Sequence, residues 1–89
     1  METEVLIEKK VKQKAQENKS LIIYNDDFNT FHWVIECLIK YCYHSLEQAE
    51  QCTILIHYKG RCSVKVGSLD KLKPIHEALL DCGLTSEIE

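Results

Sequence analysis

The chain has 89 residues, of which 45% are hydrophobic and 28% are charged, a balance typical of one small folded domain. Its formal net charge of -3 argues against a protein that binds nucleic acid by neutralising phosphates. No apolar run approaches the roughly 20 residues of a membrane span, and the start lacks the pattern of a signal peptide. We therefore expect a cytoplasmic protein that binds neither nucleic acid nor membrane.

The cysteines predict free thiols rather than a disulfide scaffold or a metal site. There are five of them, an odd number, and no two form a C-x-x-C pair. Cys42-x-His44 does not have the spacing of a structural zinc site. We expect the thiols to act as small buried hydrophobes, and we predict neither a metal nor a cofactor.

Residues 1–19 differ in composition from the rest of the chain. They are dominated by Lys, Glu and Gln, they contain no aromatic residue, and their charges nearly cancel. Their few apolar residues are too sparse to hold a helix alone. We predict a flexible N-terminal extension over residues 1–19 and one folded domain over residues 20–89.

The folded part begins with a strand and an amphipathic helix. Leu21 to Tyr24 is a run of β-forming residues and predicts the first strand. Helical spacing of apolar residues then predicts a helix whose N-cap is Asn29 or Thr30. The apolar residues of this helix are Phe31, Val34, Ile35, Leu38, Ile39 and Cys42.

A second helix and a second strand follow directly. Ser45 followed by Gln48 is a capping-box pattern that begins the helix, and Gly60 is placed to end it. Cys62 to Val66 alternates apolar and polar residues, which predicts a half-exposed strand.

A third helix and a closing strand complete the pattern. Ser68 caps this helix, and Pro74 implies either that the helix proper begins near Lys73 or that it is kinked. Gly83 ends it, and residues 84–89 predict an edge strand. The order β-α-α-β-α-β predicts an α+β fold, a small three-stranded antiparallel sheet with three helices packed on one face.

Asn25-Asp26-Asp27 joins the first strand to the first helix, and its role is open from composition alone. The segment could cap the turn and the helix, catalyse a reaction, or recognise a cation. Catalysis lacks a nucleophile or a phosphate-binding loop, and a calcium site lacks further oxygen ligands. His57 has a structural interpretation too, since a histidine near a helix end often packs against the core or the helix terminus.

Four short motifs carry a family resemblance, and they are the Asn25-Asp26-Asp27-aromatic loop, Trp33-Val34, Glu47-x-Ala49 and His57-Tyr58-x-Gly60. In this order of elements, residues 20–89 resemble the ClpS family. These proteins are adaptors that carry N-degron substrates, marked by their N-terminal residue, to Clp-type AAA+ proteases. The resemblance implies an adaptor rather than an enzyme.

The resemblance also implies a site and partners. By position, Asn25, Asp27 and His57 would accept hydrogen bonds from the substrate's α-ammonium, and Asp26 would contact the adjacent peptide backbone. A bulky hydrophobic first side chain would enter a socket formed by Ile23, Asn29, Phe31, Val34, Thr53, Ile56 and Leu84. The partner would be the N-terminal domain of a ClpA-like or ClpC-like AAA+ unfoldase, and residues 1–19 would assist delivery.

Three departures from the usual family pattern leave a second interpretation open. Asn29-Thr30 stands where Thr-Pro is usual, and Phe31 and Thr53 stand where Met is common. The resemblance therefore does not rank Leu, Phe, Tyr and Trp as first residues. The alternative is a ClpS-like or ribosomal-stalk-like interaction domain that docks on a partner without binding N-degrons.

Overall fold

The computed structural model describes residues 18–89, so the predicted extension over residues 1–19 lies almost wholly outside the described residues. Within residues 18–89, three strands and three helices follow one another in the predicted order. Their bounds are β1 Lys19–Tyr24, α1 Phe31–Cys42, α2 Leu46–Lys59, β2 Arg61–Gly67, α3 Leu69–Asp81 and β3 Thr85–Ile88. None of the helices in this part of the chain is long and apolar enough to cross a membrane.

The sheet is antiparallel and ordered β2-β1-β3, which makes β1 the central strand. Three consecutive β1 residues, Leu21, Ile22 and Ile23, are buried. Since strand residues alternate between the two faces, Leu21 and Ile23 join the hydrophobic core while Ile22 points to the opposite face. The central position of β1 thus places the acidic loop that follows it at one end of the sheet, between the neighbouring strands β2 and β3.

Tyr24 lies on the same face as Ile22 and takes part in a small polar cluster. Its hydroxyl donates to the Glu89 carboxylate, and the other Glu89 oxygen lies 2.7 Å from Arg61 Nη2. The hydrogen bonds from Tyr24 and Arg61 lower the pKa of Glu89. This cluster joins β1 and β2 to the residue that follows β3.

The three helices pack on the other face of the sheet and enclose one core, which confirms the predicted α+β architecture. The buried core residues are Leu21, Ile23, Val34, Cys37, Leu38, Cys42, Ala49, Ile56, Val64, Leu72, Leu79 and Leu84. Of the five thiols, Cys37 and Cys42 are fully buried as predicted, whereas the other three are only partly buried. Burial raises the pKa of Cys37 and Cys52 to about 12, so these groups are thiols rather than nucleophilic thiolates.

Each helix begins at a hydroxyl side chain that accepts a backbone N–H from three residues later. These N-caps are Thr30, Ser45 and Ser68. Thr30 is therefore the N-cap of α1, and Asn29 is released for another role. α3 runs continuously from Leu69, with Pro74 inside it, so the interpretation that the helix begins near Lys73 is wrong.

β2 departs from simple alternation because its pairing with β1 shifts by one residue. Leu21 pairs with Lys65 and Ile22 with Ser63, which leaves Val64 as a bulge. Val64 is buried, its carbonyl lies 2.7 Å from His44 Nε2, and Val66 is left 64% exposed. The alternating pattern therefore predicted the strand but not the exposure of Val66.

Gly60→Ala should destabilise the protein by about 1 kcal/mol, because Gly60 ends α2 with a φ of 90° that favours glycine. An added Cβ meets nothing within 4 Å, so the cost is conformational rather than steric. We expect the thermal unfolding midpoint to fall by roughly 4–8 °C. The matched control is Gly67→Ala, whose Cβ makes an ordinary 3.9 Å contact with Leu72. Equal shifts for the two variants would contradict this explanation.

Candidate functional site

The loop between β1 and α1 is held by two other parts of the chain. The backbone N–H of Asn25 donates to the Gly60 carbonyl at 2.9 Å, which joins the loop to the end of α2. On the other side, Asn29 Nδ2 donates to the Gly83 carbonyl at 2.8 Å, and Trp33 Nε1 donates to the Cys82 carbonyl at 3.0 Å. The loop therefore spans from the C-terminal end of α2 to the joint between α3 and β3.

Asp26 organises this loop from within. Its Oδ1 accepts the backbone N–H groups of Phe28 and Asn29 at 2.9 and 2.8 Å, and its Oδ2 accepts from Asn29 Nδ2 at 2.7 Å. The Thr85 hydroxyl makes a longer contact of 3.5 Å with Oδ2. Partial burial opposes ionisation of Asp26, but these donated hydrogen bonds outweigh it and lower the pKa of the carboxyl. The turn-capping role suggested by the sequence thus belongs to Asp26.

Asn25 and Asp27 differ from Asp26 because both side chains are exposed. Within residues 18–89, neither side chain has a hydrogen-bond partner, whereas Asp26 between them is engaged on both oxygens. Two oxygen-bearing groups, one of them a carboxylate, are therefore presented to solvent on a loop whose backbone is fixed. Such an arrangement can accept hydrogen bonds from a ligand without first breaking internal ones.

His57 lies in the last turn of α2, next to the Gly60 carbonyl that binds the loop. The side chain is exposed, so it is not a core-packing histidine. Its ring makes edge-to-face contacts with Phe31 at a centroid distance of 6.4 Å and with Tyr58 at 5.2 Å. These contacts position the imidazole on the side of α2 that faces the start of α1.

A small cavity lies beside the loop, and five of the seven predicted socket residues line it. They are Ile23, Asn29, Val34, Ile56 and Leu84, joined by Tyr24, Asn25 and Asp26. The cavity has a volume of about 20 Å³, which is room for about one water molecule. A bulky side chain would enter only after the walls part.

The other two predicted socket residues, Phe31 and Thr53, do not line the cavity. Phe31 is 43% exposed and is in contact with His57. Thr53 is buried, and its hydroxyl donates to the Ala49 carbonyl at 2.7 Å. The hydroxyl that a threonine adds to an apolar wall is thereby satisfied inside α2 and is not offered to a ligand.

Sequence reasoning missed the two backbone carbonyls that hold the loop, those of Gly60 and Gly83. Glycine at both positions indicated helix ends, and both residues do adopt positive φ there, but nothing in the pattern pointed to their oxygen atoms. Across residues 18–89, no three His, Cys, Asp or Glu side chains are grouped as a metal site would require.

Comparison with known proteins supplies the family. Residues 14–85 match the family model described as ATP-dependent Clp protease adaptor protein ClpS. The chain belongs to the ClpS family. It is 41% identical over 76 residues to the ClpS adapter protein of Thermosynechococcus vestitus, covering 84% of this chain and 81% of that protein. With the ClpS adapter protein of a Nostoc species it is 39% identical over 74 residues, covering 82% and 76% of the two chains.

A solved structure agrees with the ClpS fold of this chain. It is that of Agrobacterium tumefaciens ClpS2 bound to L-phenylalaninamide, and the two folds match with a TM-score of 0.71 at 20% sequence identity. The match covers 83% of this chain and 96% of the other. The family's description as an adaptor of a protease, rather than a protease, agrees with the expectation that the chain does not itself catalyse a reaction.

Proposed function

We propose that this ClpS-family chain binds proteins with a bulky hydrophobic N-terminal residue and delivers them to a Clp-type AAA+ unfoldase. The observation that carries the proposal is the placement of Asn25, Asp27 and His57. All three are exposed, and the bond from the Asn25 N–H to the Gly60 carbonyl brings the loop to the turn of α2 that holds His57. A small cavity beside the loop has Ile23, Val34, Ile56 and Leu84 as its apolar walls.

The chemistry of a protein N-terminus fits this placement. An α-ammonium has a pKa of roughly 7.7–8.0, so it is mostly charged at neutral pH, and it offers three N–H donors. Asn25 Oδ1, the Asp27 carboxylate and a neutral imidazole nitrogen of His57 supply three acceptors. Internal peptide segments have no such amine, so the group of acceptors selects chain ends.

Asp26 has room for one further contact beside its work in the loop. Its Oδ2 accepts one short bond from Asn29, and the 3.5 Å contact from Thr85 is at the limit of a hydrogen bond. A backbone N–H of the substrate could replace the Thr85 hydroxyl there. We therefore propose that Asp26 contacts the substrate backbone.

The socket has to open for the first side chain, because about 20 Å³ holds no more than a water molecule. We infer that Phe31 moves when the socket opens, since its side chain is 43% exposed and packs on the His57 ring rather than in the core. A side-chain rotation on binding is common at interfaces whose backbone stays in place. The L-phenylalaninamide bound by the Agrobacterium protein is a small example of such a ligand, with a free amine and an aromatic side chain.

The deciding experiment compares two fluorescent peptides that begin with Phe and differ only in N-acetylation. We expect the free-amine peptide to bind and the acetylated peptide to bind at least about 100-fold more weakly, since acetylation removes the charge and two of the three donors. Equal affinity for the two peptides would exclude recognition of the ammonium.

A second candidate function is favoured by the size of the cavity. A closed socket suits an adaptor that docks on the unfoldase without reading N-termini. That candidate predicts no binding of any free-amine peptide together with intact binding to the unfoldase. The proposed function predicts that the chain binds the free-amine peptide and also binds the unfoldase.

We propose that the partner is the N-terminal domain of a ClpA-like or ClpC-like unfoldase and that the two proteins bind in the cytoplasm. Calorimetric titration of the isolated domain with the full chain should show a one-to-one complex that persists when a Phe-initiated peptide is already bound. A complex that the peptide displaces would contradict delivery, because a delivering adaptor must hold substrate and unfoldase together.

A further inference from the structure

Asn29 is a partly buried polar residue in the cavity wall, and its amide group is held in one orientation. Its Nδ2 lies 2.7 Å from Asp26 Oδ2 and 2.8 Å from the Gly83 carbonyl oxygen. Both partners are acceptors, so the amide nitrogen must face them, and this decides which end of the amide is oxygen. A flip would set Oδ1 against a carboxylate and a carbonyl, so the amide cannot turn to suit a ligand.

This arrangement leaves the amide oxygen of Asn29 without a donor. Both N–H groups are used, while Oδ1 has no hydrogen-bond partner within residues 18–89. It lies against Gly83, where an added Cβ would be 3.9 Å from it. Gly83 immediately precedes Leu84, a residue that lines the cavity as Asn29 does. Asn29, a residue that lines the cavity, therefore carries a fixed and unpartnered hydrogen-bond acceptor close to the α3–β3 joint.

The rest of the wall does not compete for a donor. Ile23, Val34, Ile56 and Leu84 are apolar, and the Thr53 hydroxyl already donates to the Ala49 carbonyl. Asn25 and Asp26 also line the cavity, but the proposed function assigns their free acceptors to the ammonium and the backbone N–H of the substrate. A donor at the end of an incoming side chain would thus find its partner at Asn29.

We propose that Asn29 makes the socket prefer N-terminal side chains that end in a hydrogen-bond donor, the Tyr hydroxyl and the Trp indole N–H, over Phe and Leu. This inference rests on the proposed function and adds to it the class of substrate. The preference of Tyr over Phe is about 2- to 10-fold, the contribution of one neutral hydrogen bond. It stays far below the roughly 10⁴-fold discrimination of a fully buried polar site, because water satisfies Oδ1 of the partly buried Asn29 when Phe is bound.

The first part of the test uses the unaltered protein. Free-amine peptides that differ only in their first residue, Tyr, Phe, Trp, Leu or O-methyltyrosine, are compared by fluorescence anisotropy. We expect Tyr to bind about 2- to 10-fold more tightly than Phe, and O-methyltyrosine to lose this advantage because the methyl group removes the donor. Binding of Phe as tight as Tyr, or an undiminished advantage for O-methyltyrosine, overturns the inference.

The second part uses Asn29→Ser, with Gln51→Ala on the exposed face of α2 as the matched control. Serine removes Oδ1 of the amide but keeps a donor for Asp26. We expect a Tyr to Phe affinity ratio near one in Asn29→Ser and an unchanged ratio in the control. If the ratio in Asn29→Ser equals that of the unaltered protein, Asn29 is not the acceptor. If none of the free-amine peptides binds the unaltered protein, the proposed function itself fails, which distinguishes the two failures.

Discussion

Asp27→Asn should weaken binding of a Phe-initiated peptide by about 10- to 100-fold while leaving the stability of the protein unchanged. The substitution keeps the size of the side chain and removes its charge, so the ammonium loses a charge-assisted hydrogen bond worth roughly 1.5–3 kcal/mol. Asp27 is exposed and has no hydrogen-bond partner within residues 18–89, so the folded state loses nothing. Peptide anisotropy and a thermal unfolding curve measure the two effects separately.

The control for this prediction is Glu50→Gln, which neutralises an exposed carboxylate outside the loop, on α2. It changes the net charge by the same amount as Asp27→Asn, so it reports any general attraction between the acidic protein and the cationic peptide. We expect less than about a twofold effect at physiological salt, where exposed charges beyond about 8 Å are largely screened. Equal losses in the two variants would mean that net charge, not Asp27, attracts the amine.

The fold was predictable from sequence because its signals are local and agree with one another. Ser45 and Ser68 mark helix starts, Gly60 marks a helix end, and the helical spacing that begins at Phe31 marks the buried face of α1. The register in which β2 pairs with β1 was harder to predict from the sequence. The bulge lies at Val64, whose carbonyl contacts His44 twenty residues away, and residue alternation reveals neither a register shift nor a distant partner.

The candidate site, like the fold, was predictable from the sequence only in part. The resemblance to the ClpS family implied which residues to expect around it, but not the different roles within Asn25-Asp26-Asp27. Two neighbouring aspartates look alike in a sequence, and only the direction of each side chain decides that Asp26 holds the loop while Asp27 faces solvent. The same limit applies to Thr53, because the residue type alone does not reveal that its hydroxyl donates to the Ala49 carbonyl within the same helix.

The proposed role of Asp27 is to bind the substrate, whereas the hydrogen bonds of Asp26 hold the loop, so an experiment can measure the two effects separately. Asp26 is tied to the backbone and side chain of Asn29, and Asn29 in turn is tied to Gly83. The loop that presents Asp27 is thus held by its neighbour in the sequence. Loss of Asp26 should therefore affect binding in two ways, through loss of the loop's shape and through loss of its proposed contact with the substrate backbone.

Asp26→Asn should destabilise the protein by about 2 kcal/mol, because the amide cannot accept at both ends and its NH₂ would face the donors that the carboxylate now accepts. We expect the thermal unfolding midpoint to fall by roughly 8–16 °C at pH 7. Peptide affinity should fall as well, through the loosened loop and the lost contact with the substrate backbone. In Asp27→Asn, by contrast, affinity falls and stability does not.

The pH dependence of this difference gives a second measurement. The folded-state pKa of Asp26 is lowered, so the stability it contributes is fully present above the unfolded pKa of about 3.9 and is lost as the pH falls through the folded pKa. The gap in unfolding midpoint between the unaltered protein and Asp26→Asn should therefore be constant from about pH 7 to 5 and shrink below about pH 4. A gap that shrinks equally for Asp27→Asn, or that persists unchanged at the acid end, would show that the ionised Asp26 carboxylate does not hold the loop.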